Sequence, residues 1–189
     1  MSRYAGALIA ATLFTAGAAK AESADYNTTP THTFVHAEVQ HAGLSTRRLR
    51  FNRAEGRVTI DRPAGRGRIE FTVQTNSIAT GDAALDAVLR AWLDVAQHPT
   101  ARFVSEALQF DGERLRGATG TLTLRDASRP LTVRADHFNC YFNPLFKREV
   151  CGGEFSADVD LGRWGSVPEP RLDWAPTVTL RVQVEAVRQ

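Results

Sequence analysis

The stretch Val178-Thr179-Leu180-Arg181-Val182-Gln183-Val184-Glu185 alternates apolar and polar side chains without a break. Period two is the signature of a β-strand with one dry face and one wet face. The same alternation recurs upstream at Val35, Ala37 and Val39; at Val58 and Ile60; at Ile69, Phe71 and Val73; and at Leu122 and Leu124. It returns at Leu131, Val133 and Ala135 and at Phe155, Ala157, Val159 and Leu161, with weaker segments at Leu49 to Phe51 and Phe103 to Leu108. About eight or nine strands result, each with one apolar face. Such strands must close on themselves or stack in two layers, because an open sheet leaves unpaired edges. Barrel and sandwich both satisfy this. A barrel of about eight strands also encloses room for one elongated ligand.

One window departs from period two. Between Asp82 and Ala96, Leu85, Val88, Leu89, Trp92 and Val95 recur at helical spacing, behind Gly81 and an N-cap candidate in Asp82. The spacing predicts one amphipathic helix over about 82–96, stopped by His98-Pro99. Asn139 to Gly153 and Gly162 to Pro176 read as long loops.

At the start of the chain, Arg3 precedes the apolar run Ala5 to Ala19, followed by Ala19-Lys20-Ala21. A basic start, a short apolar centre and small residues at the end form a secretory signal, so residues 1–21 are expected to be removed and 22–189 to work in the periplasm. Two of the 23 basic residues, Arg3 and Lys20, fall in that segment, and the remainder equals the 21 acidic residues. The basic balance of the whole chain therefore belongs to the discarded part, which removes the electrostatic case for a nucleic-acid partner.

Cys140 and Cys151 are the only cysteines. In an exported protein a disulfide is the first reading, and its loop of about 12 residues would constrain the unfolded chain by roughly 3 kcal/mol. A metal pair or redox couple fits less well, since the spacing is not C-x-x-C and no His lies between them. Elsewhere, His32 and His36 are four apart and would share one strand face, with His41 at the opposite parity. Two ligands do not make a metal site. No G-x-S-x-G elbow occurs, and Ser45, near His41, sits in the turn-like segment Gly43 to Thr46.

Several strings in order along the chain resemble the YceI-like family of periplasmic lipid-binding β-barrels. They are Thr31-His32-Thr33, His41-Ala42-Gly43-Leu44-Ser45-Thr46, Arg50-Phe51-Asn52 and Ser77-Ile78-Ala79-Thr80-Gly81. Further along come Asp86, Trp92-Leu93-Asp94, His98-Pro99, Gly120 to Leu124, Arg129 to Val133, Phe155-Ser156-Ala157, Trp164-Gly165 and the closing strand. The chain departs from the family pattern at Ala37, where a large aromatic is common, and at Leu49, where Gly is usual. The stretch from Asp86 to Trp92 is short for the family, and Leu161 and Arg163 replace its usual Arg and Asp.

The resemblance implies an all-β, elongated, antiparallel, lipocalin-like barrel spanning 22–189. Its interior would bind, store or carry a polyisoprenoid or isoprenoid quinone as ligand, with no cofactor, no catalytic residue and no metal. Strand parity nominates the ligand-binding wall: Val35, Ala37, Val39, Phe51, Ile69, Phe71, Val73, Phe103, Leu122, Leu124, Leu131, Val133, Phe155, Val159, Leu180 and Val182. Expected partners are an apolar lipid and a transient membrane contact, the helix being a candidate gate; the oligomeric state is open, a homodimer included. The rival functions are a secreted hydrolase of a lipid or ester, relying on His41 and Ser45, and a periplasmic metal-binding protein.

Overall fold

A computed structural model describes residues 23–112, 114–165 and 172–189. The expected signal segment 1–21 lies outside them, as does part of the Gly162–Pro176 stretch. Eleven strands and one α-helix make up the fold: β1 (Ala24–Thr28), β2 (Phe34–His41), β3 (Ser45–Phe51), β4 (Ala54–Asp61), β5 (Arg66–Gln74), β6 (Ile78–Ala79), α1 (Ala83–Trp92), β7 (Thr100–Asp111), β8 (Arg114–Leu124), β9 (Ala127–Asn143), β10 (Arg148–Asp160) and β11 (Trp174–Arg188). All neighbours pair antiparallel, in the order β1-β4-β5-β7-β8-β9-β10-β11, and β11 returns to β1. That closes a barrel of eight strands and leaves no edge around the ring.

Closure depends on β11 serving two partners. Its first part pairs with β2, in register Val178 to Val39, Leu180 to Ala37 and Val182 to Val35, and its last residues pair with β1. The chain runs from β1 to β2 through a single 3-10 turn, Pro30–His32. Beyond that turn the ring is continued by β3 and the two-residue β6, and α1 packs there: Leu89 and Leu93 share one buried cluster with Ala37, Leu49 and Ile78. The Asp86 carboxylate accepts from Thr80 N and Oγ1 at 2.7 Å, while Arg90 donates to the carbonyls of Asn76 and Ile78.

The helix starts where the sequence predicts and ends earlier. The Asp82 carboxylate caps it, accepting from Ala84 N and Leu85 N. It stops at Trp92 instead of Ala96 because Asp94 takes a left-handed conformation, φ +50°. Val95 N then bonds to Arg90 O and Asp94 N to Ala91 O, the paired bonds of a Schellman end with Asp in the place usually held by Gly.

Three other expectations are corrected. Asn139 to Gly153 is not a loop but the distal half of the β9–β10 hairpin, whose turn is confined to 144–147. Ser45 begins β3, with the turn limited to 42–44. His32 lies in the 3-10 turn, not on the strand face of His36, and its Nδ1 stands 3.0 Å from Glu185.

At the end of the barrel away from α1, the hairpin packs back over the ring. Cys140 and Cys151 face each other as Cα partners 4.0 Å apart, their sulfurs at bonding distance, beside buried Tyr26, Ile60 and Ala186. Arg62, from the β4–β5 turn, donates to both sulfurs (2.8 and 3.0 Å) and to both oxygens of Glu149 (3.3 and 3.2 Å). The Tyr26 hydroxyl makes a short hydrogen bond to the same carboxylate. Burial works against the charge on Glu149, but the Tyr26 hydroxyl and Arg62 together hold its pKa below the usual carboxylate value. Burial, with the Glu149 bond adding to it, pushes Tyr26 up to about 12.

Two measurements check this end of the molecule. Peptide mapping of the exported protein without reductant is expected to give one Cys140–Cys151 linkage; two free thiols would contradict it. For Tyr26, a raised folded pKa means that its contribution to stability is complete below the unfolded value near 10 and is lost as pH rises through about 12. Tyrosinate absorbance should therefore show a late ionisation near pH 12 that is missing in Tyr26→Phe.

Candidate functional site

The inward faces of the strands do not meet. They leave a cavity of about 250 Å³ running along the barrel, more than ten times the volume that one water needs. At one end its wall is Leu89 and Trp92 of α1, the C-cap residue Leu93, and Trp174; at the other it is Tyr26, Ile60, Leu115, Phe138 and Cys151.

The wall is chemically uniform. Among the described residues its only hydroxyl groups belong to Tyr26, Thr28 and Thr75, and each is spent on the protein itself. Tyr26 bonds Glu149, Thr28 Oγ1 accepts from Gly56 N at 2.7 Å, and Thr75 Oγ1 donates to His98 O at 2.7 Å. No acid, base or amide side chain lines the cavity. Such a site can remove an apolar surface from water and can do little else; a polar guest would lose its hydration without replacement.

All sixteen residues nominated by strand parity line this cavity. β11 supplies one whole stave, since Val178, Leu180, Val182, Val184 and Ala186 all reach it. Among the lining residues that parity did not nominate, several, such as Leu49, Val58, Ile60 and Ala157, sit on plain strand positions, and two further groups have a structural reason. Helix α1 contributes Leu89 and Trp92, which their helical spacing marked as apolar without showing what they face, and its C-cap adds Leu93. The other group lies beyond bulges. β9 slips register at Glu154/Phe155 of its partner, so Asp136 is extra and the inward parity changes from Leu131 and Val133 to Phe138. β8 makes the same change between Ala118 and Leu115, opposite the slip at Gln109/Phe110.

The rival sites do not assemble. His41 and Ser45 are Cα partners at the mouth of the β2–β3 hairpin, and among the described residues no carboxylate is ion-paired with that histidine. The one grouping of three metal-ligating side chains among the described residues is Cys140, Glu149 and Cys151, where each sulfur is engaged by the other and the Arg62 guanidinium stands against both. His36 faces a polar groove on the outer surface with Glu38, Arg48, Asp136 and Arg181, whose charges pair among themselves.

Comparison with known proteins gives a consistent result. The family model described as a YceI-like domain matches residues 26–186. A UPF0312 protein of Pseudomonas aeruginosa is 32% identical over 183 residues, covering 94% of this chain and 93% of that one. Protein YceI of Salmonella arizonae is 34% identical over 133 residues, covering 69% of each. Among solved structures, BcnA of Burkholderia cenocepacia superposes with a TM-score of 0.69 at 19% identity, covering 84% of this chain and 98% of that one. A polyisoprenoid binding domain from Saccharophagus degradans does so with a TM-score of 0.60 at 15% identity, covering 87% of this chain and 98% of its own.

Ala37 is the position where the site departs most from the expected pattern, and the packing says what a larger residue would meet. Ala37 is buried between its register partners Leu49 and Leu180, and Leu49, Leu89 and Leu93 crowd the same cluster. Leu49 therefore occupies volume that a ring would need. Ala37→Phe is expected to overpack, lowering stability by about 1–3 kcal/mol in denaturant titration. An unchanged melting temperature together with unchanged ligand content would show that the wall has room there.

Proposed function

The chain belongs to the YceI-like family, and from that premise we propose that it is a periplasmic carrier or store for one elongated apolar lipid of the polyisoprenoid or isoprenoid-quinone class. The observation that carries this reading is the cavity wall, whose few hydroxyls are all consumed by the protein. A barrel-length apolar channel selects a guest by length and girth, and an isoprenoid tail offers both without asking for a hydrogen bond. The polyisoprenoid-binding description of the Saccharophagus degradans relative points the same way.

Burying about ten methylene equivalents at roughly 0.8 kcal/mol each gives about 8 kcal/mol gross, which the cost of ordering the tail reduces. Retention through purification is consistent with that surplus. Turnover is not part of the proposal, because nothing along the channel could activate a nucleophile or move a proton.

Native mass spectrometry and organic extraction of protein purified from the periplasm test the reading. An isoprenoid co-purifying at close to one per chain is expected. Repeatedly empty protein, or a hydrolytic activity abolished by His41→Ala or Ser45→Ala, would replace it.

A further inference from the structure

Six large apolar side chains are exposed among the described residues, and four of them fall within one six-residue stretch: Tyr141, Phe142, Leu145 and Phe146. Leu145 is 88% exposed and Phe142 66%, values that leave nearly the whole side chain in water. This stretch is the tip of the β9–β10 hairpin. Beyond Arg134, β9 has lost its β8 partner, and beyond Val150 β10 has no register partner in β11, so the last pairs, Phe142 with Glu149 and Asn143 with Arg148, extend past the backbone pairing of the ring, anchored to it by side chains: Glu149 to Tyr26 and Arg62, and Arg148 to Arg188 O.

The tip is also pre-shaped. The Asn143 side-chain oxygen accepts from Leu145 N and Phe146 N, its amide donates to the Tyr141 hydroxyl, and Lys147 takes φ +51° to turn the chain back. A built turn presents its rings with little ordering left to do on contact. The adjoining charges are of one sign: Lys147 and Arg148 follow the rings directly. The nearest carboxylate, Glu149, is already held by Arg62 and Tyr26.

We infer that this hairpin tip is a docking element for an anionic phospholipid bilayer, Tyr141, Phe142, Leu145 and Phe146 entering the interfacial layer while Lys147 and Arg148 meet the headgroup phosphates. A clustered exposed apolar patch marks an interaction site. Apolar knobs flanked by cations match a surface that is apolar beneath and negative above. A second copy of the chain fits less well, since a symmetric pairing of tips would set Lys147 and Arg148 against their own copies. The inference rests on the lipid-carrier reading and extends it: a protein that exchanges a water-insoluble guest needs contact with the phase where that guest resides. The guest-lined channel reaches this end through Phe138, Tyr26 and Cys151, just behind the tip.

Co-sedimentation with phosphatidylcholine vesicles, with and without a phosphatidylglycerol fraction, tests the docking. The wild-type protein is expected to bind the anionic vesicles at least about tenfold more tightly, with the advantage shrinking in high salt. Leu145→Ser/Phe146→Ser should lose about tenfold or more on anionic vesicles, and Lys147→Gln/Arg148→Gln should lose most of the salt dependence. Leu145, Phe146 and Lys147 lie in the turn, and the exposed Arg148 beside it gives up one hydrogen bond, to Arg188 O at 3.3 Å, so melting temperature and co-purified lipid should be essentially unchanged. Wild-type protein that ignores both vesicle types, or equal binding by the apolar double variant, would overturn the inference. So would a tip that instead governs oligomeric state in sedimentation velocity. Lipid-loaded protein that ignores vesicles refutes the docking alone, whereas empty protein that still docks refutes the carrier reading alone.

Discussion

One strand with three partners holds this molecule together. β11 has β10 along one side for eleven consecutive register pairs, while its other side is shared between β2 and β1. Each of its inward residues from Val178 to Ala186 would face water if either neighbour were lost, so the dry face of β11 is protected only when the ring is complete. The rest follows from that requirement. Because β2 and β1 divide the last strand between them, the sheet beyond β2 continues through β3 and the two-residue β6, and α1 packs on that flank. The helix is therefore a wall segment of the channel and not an appendage, which is why its apolar stripe of Leu85, Leu89, Trp92 and Leu93 is needed in an otherwise all-strand chain.

Alternation identifies a dry face, and in a single-layer barrel the dry face and the cavity face are the same surface. That identity makes the wall legible from Val35 to Val182 without any knowledge of the pairing. It fails where the count of residues changes. The extra residue at Asp136 moves the inward position from Val133 to Phe138, and no local pattern announces a bulge, since a bulge exists only relative to the partner strand. The hairpin between Asn139 and Gly153 was hidden for a related reason. Tyr141 and Phe142 are successive exposed rings that break the alternation before the turn, and Leu145 and Phe146 place apolar residues in the turn itself, where polar ones are the usual signal. The early end of α1 was illegible in a third way: Val95 continues the apolar period but serves as the closing contact of a Schellman end, packing onto the Leu89 cluster from outside the helix.

The hairpin end shows how a cap can be built over an apolar channel without filling it. Phe138 and Cys140 lean toward Leu108, Phe110 and Ile60, while the polar work is placed to one side in Arg62, Glu149 and Tyr26. Arg62 satisfies several acceptors at once, so a single turn residue ties β1, β4, β9 and β10 together. The arrangement keeps a charged pair at the rim, where water still reaches it, and leaves no charged side chain among the described residues facing the channel. It also fixes the base of the protruding tip, so the exposed rings are held by the same residues that close the barrel.

A cavity with no directed polar group has a consequence for specificity. Affinity then grows with the apolar area that the guest buries, and discrimination comes from where the guest stops fitting. In this chain the stopping points are named: Trp92 and Trp174 at one end, and Phe138 with Tyr26 at the other. Ala37 and Leu49, which reverse the usual large and small positions, shift bulk from one strand to its neighbour, since the two are register partners. Substitutions at such paired positions redistribute volume along the channel, while its apolar character is set by the alternation of the strands themselves.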